Sequence, residues 1–311
     1  MIGITDISSF VPQTSESTFD IAKRFDTDEA FVRNKIGVSR VSRMAKDMDT
    51  SDMCVEAFKK LERKQKEPIL PDCIAVCTQN PDGNGIPHTS ALVHGKLGLP
   101  KQCACFDISL GCSGYVYSLS IMKGFMESNS LEKGVLFTAD PYSKSLDPND
   151  KDTAFLFGDA ATASLLEPLG ERNGWLPNHF IMETKGESGA ALTNASGKIR
   201  MNGRAIFEFA IREVPKQIGR VLEKANISPQ DVDFFFLHQG SKFLLDQLKR
   251  YLKLPDEKVP TRLTNQGNTI SSSLPLLLEE RMDSGFQNAV LSGFGVGLSW
   301  ASCMLRNYEK S

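Results

Sequence analysis

The chain has 311 residues, 41% hydrophobic and 24% charged. This globular mixture excludes a disordered or low-complexity chain and leaves room for two domain-sized units or one doubled unit. With 36 Lys and Arg against 38 Asp and Glu, the net charge of −2 supplies no global field for nucleic acid or a membrane surface.

The opening segment MIGITDISSFVP has no basic n-region and is interrupted by Asp6, so it reads as a strand over 2–8 and not as a secretory signal. No uncharged apolar run approaches the roughly 18 residues of a transmembrane helix, so no membrane insertion is expected. Further β-rich apolar runs predict strands at 73–78, 103–109, 134–139, 162–167, 232–237, 288–293 and 297–305. Between them, Thr50 or Ser51 caps a helix to about Lys64, Pro87 suits the first turn of a helix ending near Gly98, and Gly114 opens a helix to about Ser128. A long amphipathic stretch from about Asn202 to Asn226 contains Pro215, which predicts a kink or a break, and Ser228 marks the next turn or cap. Residues 140–160 and 168–200, rich in Gly, Asp, Asn and Pro, read as long surface connections, often lids or binding walls. Strands alternating with helices predict α/β layering around a largely buried sheet. There is also an internal echo: EKGVLFTAD near 132 resembles QNAVLSGFG near 287, and FGDAATASLL at 157 resembles FGVGLSWASCML at 294. That pattern suggests a duplicated α/β unit whose sheets share a central layer of helices.

The seven cysteines (Cys54, Cys73, Cys77, Cys103, Cys105, Cys112 and Cys303) are odd in number, scattered and mostly inside apolar runs. Such thiols act as small hydrophobes in a reducing, cytoplasmic compartment. Cys103 and Cys105 have no histidine near, so no metal site is expected there.

Cys112 stands apart. FDISLGCSGYVYSL runs from an apolar strand through Gly111 into a helix beginning near Cys112 or Ser113, which places the thiol among unpaired N–H groups at the positive helix end, where thiolate is favoured. Gly111 and Gly114 clear space for an acyl group and a neighbouring helix; the plainer alternative is a small buried residue. Of the four histidines only His238 closes an apolar strand, in DVDFFFLHQGS, at the mouth where α/β folds collect ligands. Taken alone it reads equally as a satisfied core histidine. His88 and His94 lie six apart on a predicted helix and share no metal face, while His179 falls in a polar connection. Asn268, in NQGNTISSSLPLLLEE, would by itself be a helix N-cap.

Together these segments resemble β-ketoacyl-acyl-carrier-protein synthase III, the Cys-His-Asn condensing enzymes of the thiolase superfamily. The family looks like FDxxxxCxG at the nucleophile, a strand ending in HQ, and GNTxxxS near the third residue; this chain has FDISLGCSG, LHQGS and GNTISSS. LDPNDKDTAFLFGDAATASLL is similar to the family's segment after the first half, MNGRAIFEFAI, with Gly203 and Phe207, to its substrate-channel helix, and GFGVGLSWA to its C-terminal glycine loop. The resemblance implies a thiolase-like α/β fold of two pseudo-duplicated halves in α-β-α-β-α layers, 1–167 carrying the cysteine and 168–311 the histidine and asparagine. It implies that Cys112 takes an acyl group from acyl-CoA, with N–H groups of Cys112 and of Gly295, Val296 and Gly297 holding the oxyanion. His238 and Asn268 would then donate to the enolate formed as malonyl-acyl-carrier protein loses CO2. CoA and phosphopantetheine thioesters are substrates, no metal, flavin or nicotinamide is required, and a homodimer pairing near 104–109 is implied.

Several positions depart from the family pattern. Phe31 stands where a tryptophan often stacks on the CoA adenine, and Lys35 and Lys151 where arginines often meet its nucleotide; lysine brings charge without the bidentate fork. Ile86 replaces a larger gate residue that comes from the partner subunit, implying a primer longer than acetyl. HQGSKF replaces the usual HQANxR, leaving Lys242, or Lys249 and Arg250, to supply a basic face for an acidic carrier protein. Val296 takes a position often held by glycine and would disfavour positive φ. Two other readings remain: a synthase-III-like acyltransferase to an O, N or S acceptor without decarboxylation, and a non-catalytic partner subunit, which usually lacks the nucleophile. A biosynthetic thiolase fits less well, because Ser292 precedes Gly293 and no second cysteine lies near the terminal glycine loop.

Overall fold

Runs such as CIAVC and GVLFTA are largely apolar because both faces of their strands are covered, every residue being buried. The computed structural model describes residues 1–170, 172–195 and 197–309. Its main sheet contains β1 (Ile2–Phe10), β2 (Cys73–Cys77), β3 (Ala104–Ile108), β4 (Gly134–Ala139), β5 (Ala161–Pro168), β6 (Gly174–Thr184), β7 (Phe234–Leu237), β8 (Asn288–Gly295) and β9 (Ser299–Tyr308). The strand order is β7-β8-β9-β6-β1-β5-β4-β2-β3. One residue pair, Ile4 with Trp175, joins β1 to β6, so the sheet is two smaller sheets hinged at that point.

The two parts repeat one pattern. From β1 outward the pairings run antiparallel to β5, antiparallel to β4, then parallel to β2. From β6 they run antiparallel to β9, antiparallel to β8, then parallel to β7. The two segments of the sequence echo thus occupy equivalent places, β4 with β8 and β5 with β9.

Side-chain alternation along these strands sorts the core into layers. Ala75 and Leu136 face inward with Leu291 and Cys303, and between them lie Tyr115, Leu119 and Met122 of α3 (Gly114–Ser128) and Leu274 and Leu277 of α6 (Ser273–Glu279). Ile74, Val76 and Phe137 face outward onto Met53, Phe58 and Leu61 of α1 (Thr50–Lys64), and α2 (Thr89–Leu97) packs beside α1 over β2 and β3. On the opposite outside, Val290 and Met304 meet Ile218 and Val221 of α4 (Gly203–Ala225) and Leu245 and Leu248 of α5 (Lys242–Leu252). The layers are therefore α-β-α-β-α, as expected.

Some local expectations need correction. Helix α1 is capped by Asp49, whose reciprocal box with Asp52 satisfies two N–H groups, and not by Thr50 or Ser51. Pro87 precedes the N-cap His88 and lies outside the first turn of α2. Helix α4 runs unbroken through Pro215. The last two strands end and begin at Gly295 and Ser299, so residues 297 and 298 belong to the connection.

The larger error concerns 140–160 and 168–200, which are not surface connections throughout. Phe155, Leu156 and Phe157 are buried, and Gly174–Thr184 is an eleven-residue strand between β1 and β9. Pro177, Asn178 and His179 disguised that strand. They sit at a bulge opposite the register shift between Ser302 and Met304, where His179 takes φ 52°, a place that tolerates residues poor in regular strands. Among the described residues no helix is long and apolar enough to cross a membrane, and no group of three or more His, Cys, Asp or Glu is placed to hold a metal ion.

Candidate active site

The turn between β3 and α3 presents Cys112. The Gly114 N–H donates to the Gly111 carbonyl at 2.7 Å, which closes the turn and leaves Cys112 buried at its apex. A side chain at 111 would crowd the turn, because a Cβ there would stand 2.5 Å from Gln79 Oε1 and 2.7 Å from Val296 Cγ1, and both side chains would have to move. The connection after β8 comes over the thiol, and the Val296 N–H hydrogen-bonds it. Val296 does not adopt positive φ, which falls instead on Gly297 at 135°. The valine therefore leaves the loop intact, contrary to expectation.

His238 follows the last residue of β7, and its N–H donates to the Ser292 carbonyl at 2.9 Å. Its Nδ1 lies 2.8 Å from Ser273 Oγ, and that hydroxyl donates to the Ile270 carbonyl at 2.9 Å. A hydroxyl has one proton to give, so with it spent on Ile270 the Ser273 oxygen accepts from Nδ1–H, and Nε2 carries the lone pair. The Asn268 backbone N–H is held by the Leu156 carbonyl at 2.8 Å, and its Oδ1 accepts from the Ile270 N–H at 3.0 Å. That bond engages the oxygen and leaves Nδ2 as a donor with no protein partner among the described residues. Asn268 is not the helix N-cap its sequence position suggested: Thr269 caps the short turn at 270–272 and Ser272 caps α6, while the Asn268 side chain orders the turn between them through the Ile270 N–H. Ile270, at φ 52°, is a β-branched residue in the left-handed region, a strained state that surrounding structure must enforce. Its N–H and carbonyl anchor both neighbouring side chains.

Cys112, His238 and Asn268 line one cavity of ≈ 400 Å³. Of the residues expected to meet substrate, Phe31, Lys151, Gly203 and Phe207 also line it, as does Gly295. Lys151 Nζ lies 5.4 Å from the Phe31 ring centre. Lys35 is absent from the wall but stands 4.0 Å over the ring of Phe243, a wall residue missed from the sequence. Ile86 is 92% exposed and lies away from the cavity of its own chain. Gly297 is likewise outside the lining, and Val296 faces an adjoining space. Leu156, Phe157, Leu192, Ile206 and Phe294 complete the apolar wall. The run AFLF at 154–157 was the available signal for the first two. Lys242 and Lys249 pair with Asp246, and Lys249 also with Asp256, which leaves exposed Arg250 as the member of the expected basic face without an ion pair among the described residues.

Burial sets the resting protonation. It pushes the Cys112 thiol up to about 12, further than the N–H groups of Val296 and Cys112 bring it down. The thiol is therefore neutral at pH 7, correcting the expectation of a helix-stabilised thiolate. Burial also lowers His238 to about 3, against the carbonyl of Ile270, so the imidazole is neutral too. Asp140, fully buried near the thiol, accepts from the Gln79 N–H at 2.6 Å and the Ser271 hydroxyl at 2.5 Å, yet burial still raises it to about 6.

Comparison with known proteins agrees with this geometry. Residues 106–186 match the family model for 3-oxoacyl-[acyl-carrier-protein] synthase III and residues 222–307 the model for its C-terminal part. The chain is 35% identical to a β-ketoacyl-[acyl-carrier-protein] synthase III of Halalkalibacterium halodurans, covering 98% of both chains. It is 31% identical to the enzyme of that name from Lactococcus lactis, covering 97% of this chain and 98% of the relative. A crystal structure of 3-oxoacyl-[acyl-carrier-protein] synthase III from Aquifex aeolicus superposes with a TM-score of 0.90 at 28% identity, over 98% of this chain and all of that one.

Proposed function

Since this chain belongs to the 3-oxoacyl-[acyl-carrier-protein] synthase III family, we propose that it condenses an acyl primer with malonyl-acyl-carrier protein through an acyl-enzyme on Cys112. The observation that carries this reading is the convergence of Cys112, His238 and Asn268 on one cavity, with the Val296 N–H over the sulfur. In the first step the thiol sulfur attacks the thioester carbonyl of an acyl-CoA while His238 Nε2 takes its proton. N–H groups of Cys112 and Val296 hold the oxyanion. The C–S bond to CoA then breaks, and the proton passes from Nε2 to the departing CoA sulfur.

In the second step malonyl-acyl-carrier protein loses CO2, and the enolate oxygen accepts from Asn268 Nδ2. His238 joins as donor after proton exchange with solvent between the two steps, Nε2 gaining a proton as Nδ1 gives one up, while the Ser273 hydroxyl turns from the Ile270 carbonyl to donate to Nδ1. The enolate carbon attacks the acyl carbonyl, a C–C bond forms, and the Cys112 C–S bond breaks. A solvent proton relayed by His238 restores the thiol. Both donors are neutral, and Asn268 is held in place by the Ile270 N–H before the charge appears, which favours the transition state over the ground state.

Phe31, Lys151, Gly203 and Phe207 would hold the CoA or phosphopantetheine arm, with Lys35 behind Phe243 adding charge at that wall. The functional unit would be a cytoplasmic homodimer. Strand β3 ends the sheet with one edge unpaired and side chains only half-buried, a surface that a second copy covers by strand pairing. The exposed Ile86 would then reach the partner's site. Intact-protein mass spectrometry with an acyl-CoA panel tests the first step. An adduct mapped to Cys112 and absent from Cys112→Ala is expected; acylation elsewhere would overturn the assignment.

A further inference from the structure

Beside the Cys112 cavity lies a second one of ≈ 210 Å³. Leu192 is common to both walls, and Tyr142 packs in one apolar cluster with Cys112. Val296 gives its N–H to the sulfur and its side chain to the second cavity. Leu192, Tyr142 and Val296 thus link the surroundings of the Cys112 thiol to this space.

The wall near the thiol is apolar and the remainder is not. Gln79 Oε1 accepts from the Tyr142 hydroxyl at 3.1 Å, which commits the oxygen and leaves the Nε2 amide without a protein partner among the described residues. Asn80 is only 7% exposed. Its backbone N–H donates to Thr78 Oγ1 at 3.0 Å, yet its side-chain amide, which lines the cavity, makes no hydrogen bond among the described residues. The amide is not sealed in: its polar atoms open onto the cavity, where a guest or the water it displaces can bond them. None of the described lining residues is charged, which disfavours an ionised guest. The volume corresponds to about seven water molecules, enough for a short chain and too little for a lipid tail.

We propose that this cavity is a primer pocket that selects a short acyl thioester bearing a neutral oxygen function, a hydroxyl or keto group, a few bonds beyond the reacting carbonyl. The amides of Asn80 and Gln79 would donate to that oxygen, while Leu192 and Val296 enclose the carbons before it. The proposal rests on the acylation of Cys112 described above and adds the class of acyl group. A site built to hydrogen-bond an oxygen rejects the analogue lacking it far more strongly than an apolar pocket rejects an added hydroxyl.

The test compares 3-hydroxybutyryl-CoA with butyryl-CoA, which differ only by the hydroxyl, by the rate of Cys112 acylation in the full chain, with acetyl-CoA as reference. The hydroxylated thioester is expected to have a kcat/KM about tenfold or more above its partner. Asn80→Leu should reverse that preference, and Gln79→Leu, at a half-buried position, should narrow it even if Asn80→Leu fails to fold. Equal or faster acylation by butyryl-CoA, labelling by acetyl-CoA alone, or an unchanged ratio in a folded variant would overturn the pocket assignment. Failure of every thioester, acyl-carrier-protein donors included, would overturn the acylation step itself and this proposal with it.

Discussion

Replacing Gly295 with alanine tests the tightest contact in the site. A Cβ at this position would stand 2.6 Å from Cys112 Sγ and 2.8 Å from Cys112 Cβ, against an optimal separation of about 3.5–4.0 Å between carbons. Relief requires a shift of nearly 1 Å, and the backbone on either side resists it. Gly295 is paired with Ser299 at the buried turn end of the β8–β9 hairpin, and the Cys112 turn is closed by the bond from Gly114 to Gly111. The sulfur must therefore rotate away from the Val296 N–H. Overpacking of this kind costs about 1–3 kcal/mol of stability, and a misplacement near 1 Å costs on the order of 100-fold in rate, or about 2.7 kcal/mol of barrier. Thermal unfolding and time-resolved intact-mass acylation measure the two effects separately. Gly219→Ala, at a helix position where nothing lies within 4 Å of the new Cβ, is the control, gaining about 0.5–1 kcal/mol with acylation unchanged. A folded Gly295→Ala that acylates within about twofold of the parent would refute the argument that the thiol's placement sets the rate.

Three further outcomes follow from the same geometry. Asp140 is raised from the usual 3.8 to about 6, so the native state binds more protons than the unfolded one between those values and loses stability as pH rises through that window, by about 3 kcal/mol in total. Asp140→Asn should therefore be more stable than the parent at pH 8, with the gap closing toward pH 4 in denaturant titrations; a gap independent of pH would contradict this. Ser273→Ala removes the acceptor for His238 Nδ1 and should lower kcat by about tenfold or more while leaving KM for acyl-CoA nearly unchanged, whereas a raised KM alone would assign Ser273 to substrate binding. Phe31→Ala should do the reverse, raising KM for CoA thioesters with kcat retained, as read from initial rates.

Cys112 and His238 stood out as candidates because each follows a strand, and such junctions leave local marks, glycines around Cys112 and an apolar run ending at His238; Asn268, at an isolated bridge within a turn, showed only as Gly267-Asn268 before a hydroxyl-rich helix. The duplicated α/β layering was legible for a similar reason, since doubly buried strands are largely apolar. What the sequence hid lies in segments whose composition contradicts their placement. Strand β6 carries Pro177, Asn178 and His179 at a bulge, and Leu156, Phe157 and Leu192 reach the cavity from stretches rich in turn residues. Thiolate character was misjudged because a helix terminus is visible in sequence and the depth of burial is not. Ile270 gave no signal at all: a β-branched residue is the least expected occupant of a left-handed turn, and only the fold shows that its N–H and carbonyl hold Asn268 and Ser273.

The central claim is that acyl transfer to Cys112 is coupled to carbon–carbon bond formation driven by loss of CO2. Its most direct test is a single-turnover reaction of the isolated acyl-enzyme with malonyl-acyl-carrier protein, following released CO2, the mass of the carrier-bound product and the mass of the protein together. The account predicts one CO2 and one β-ketoacyl-carrier product for each acyl group leaving Cys112, with the acyl-enzyme persisting and CO2 release abolished in Asn268→Ala. Departure of the acyl group to an oxygen, nitrogen or sulfur acceptor with the malonyl carboxylate intact would contradict it.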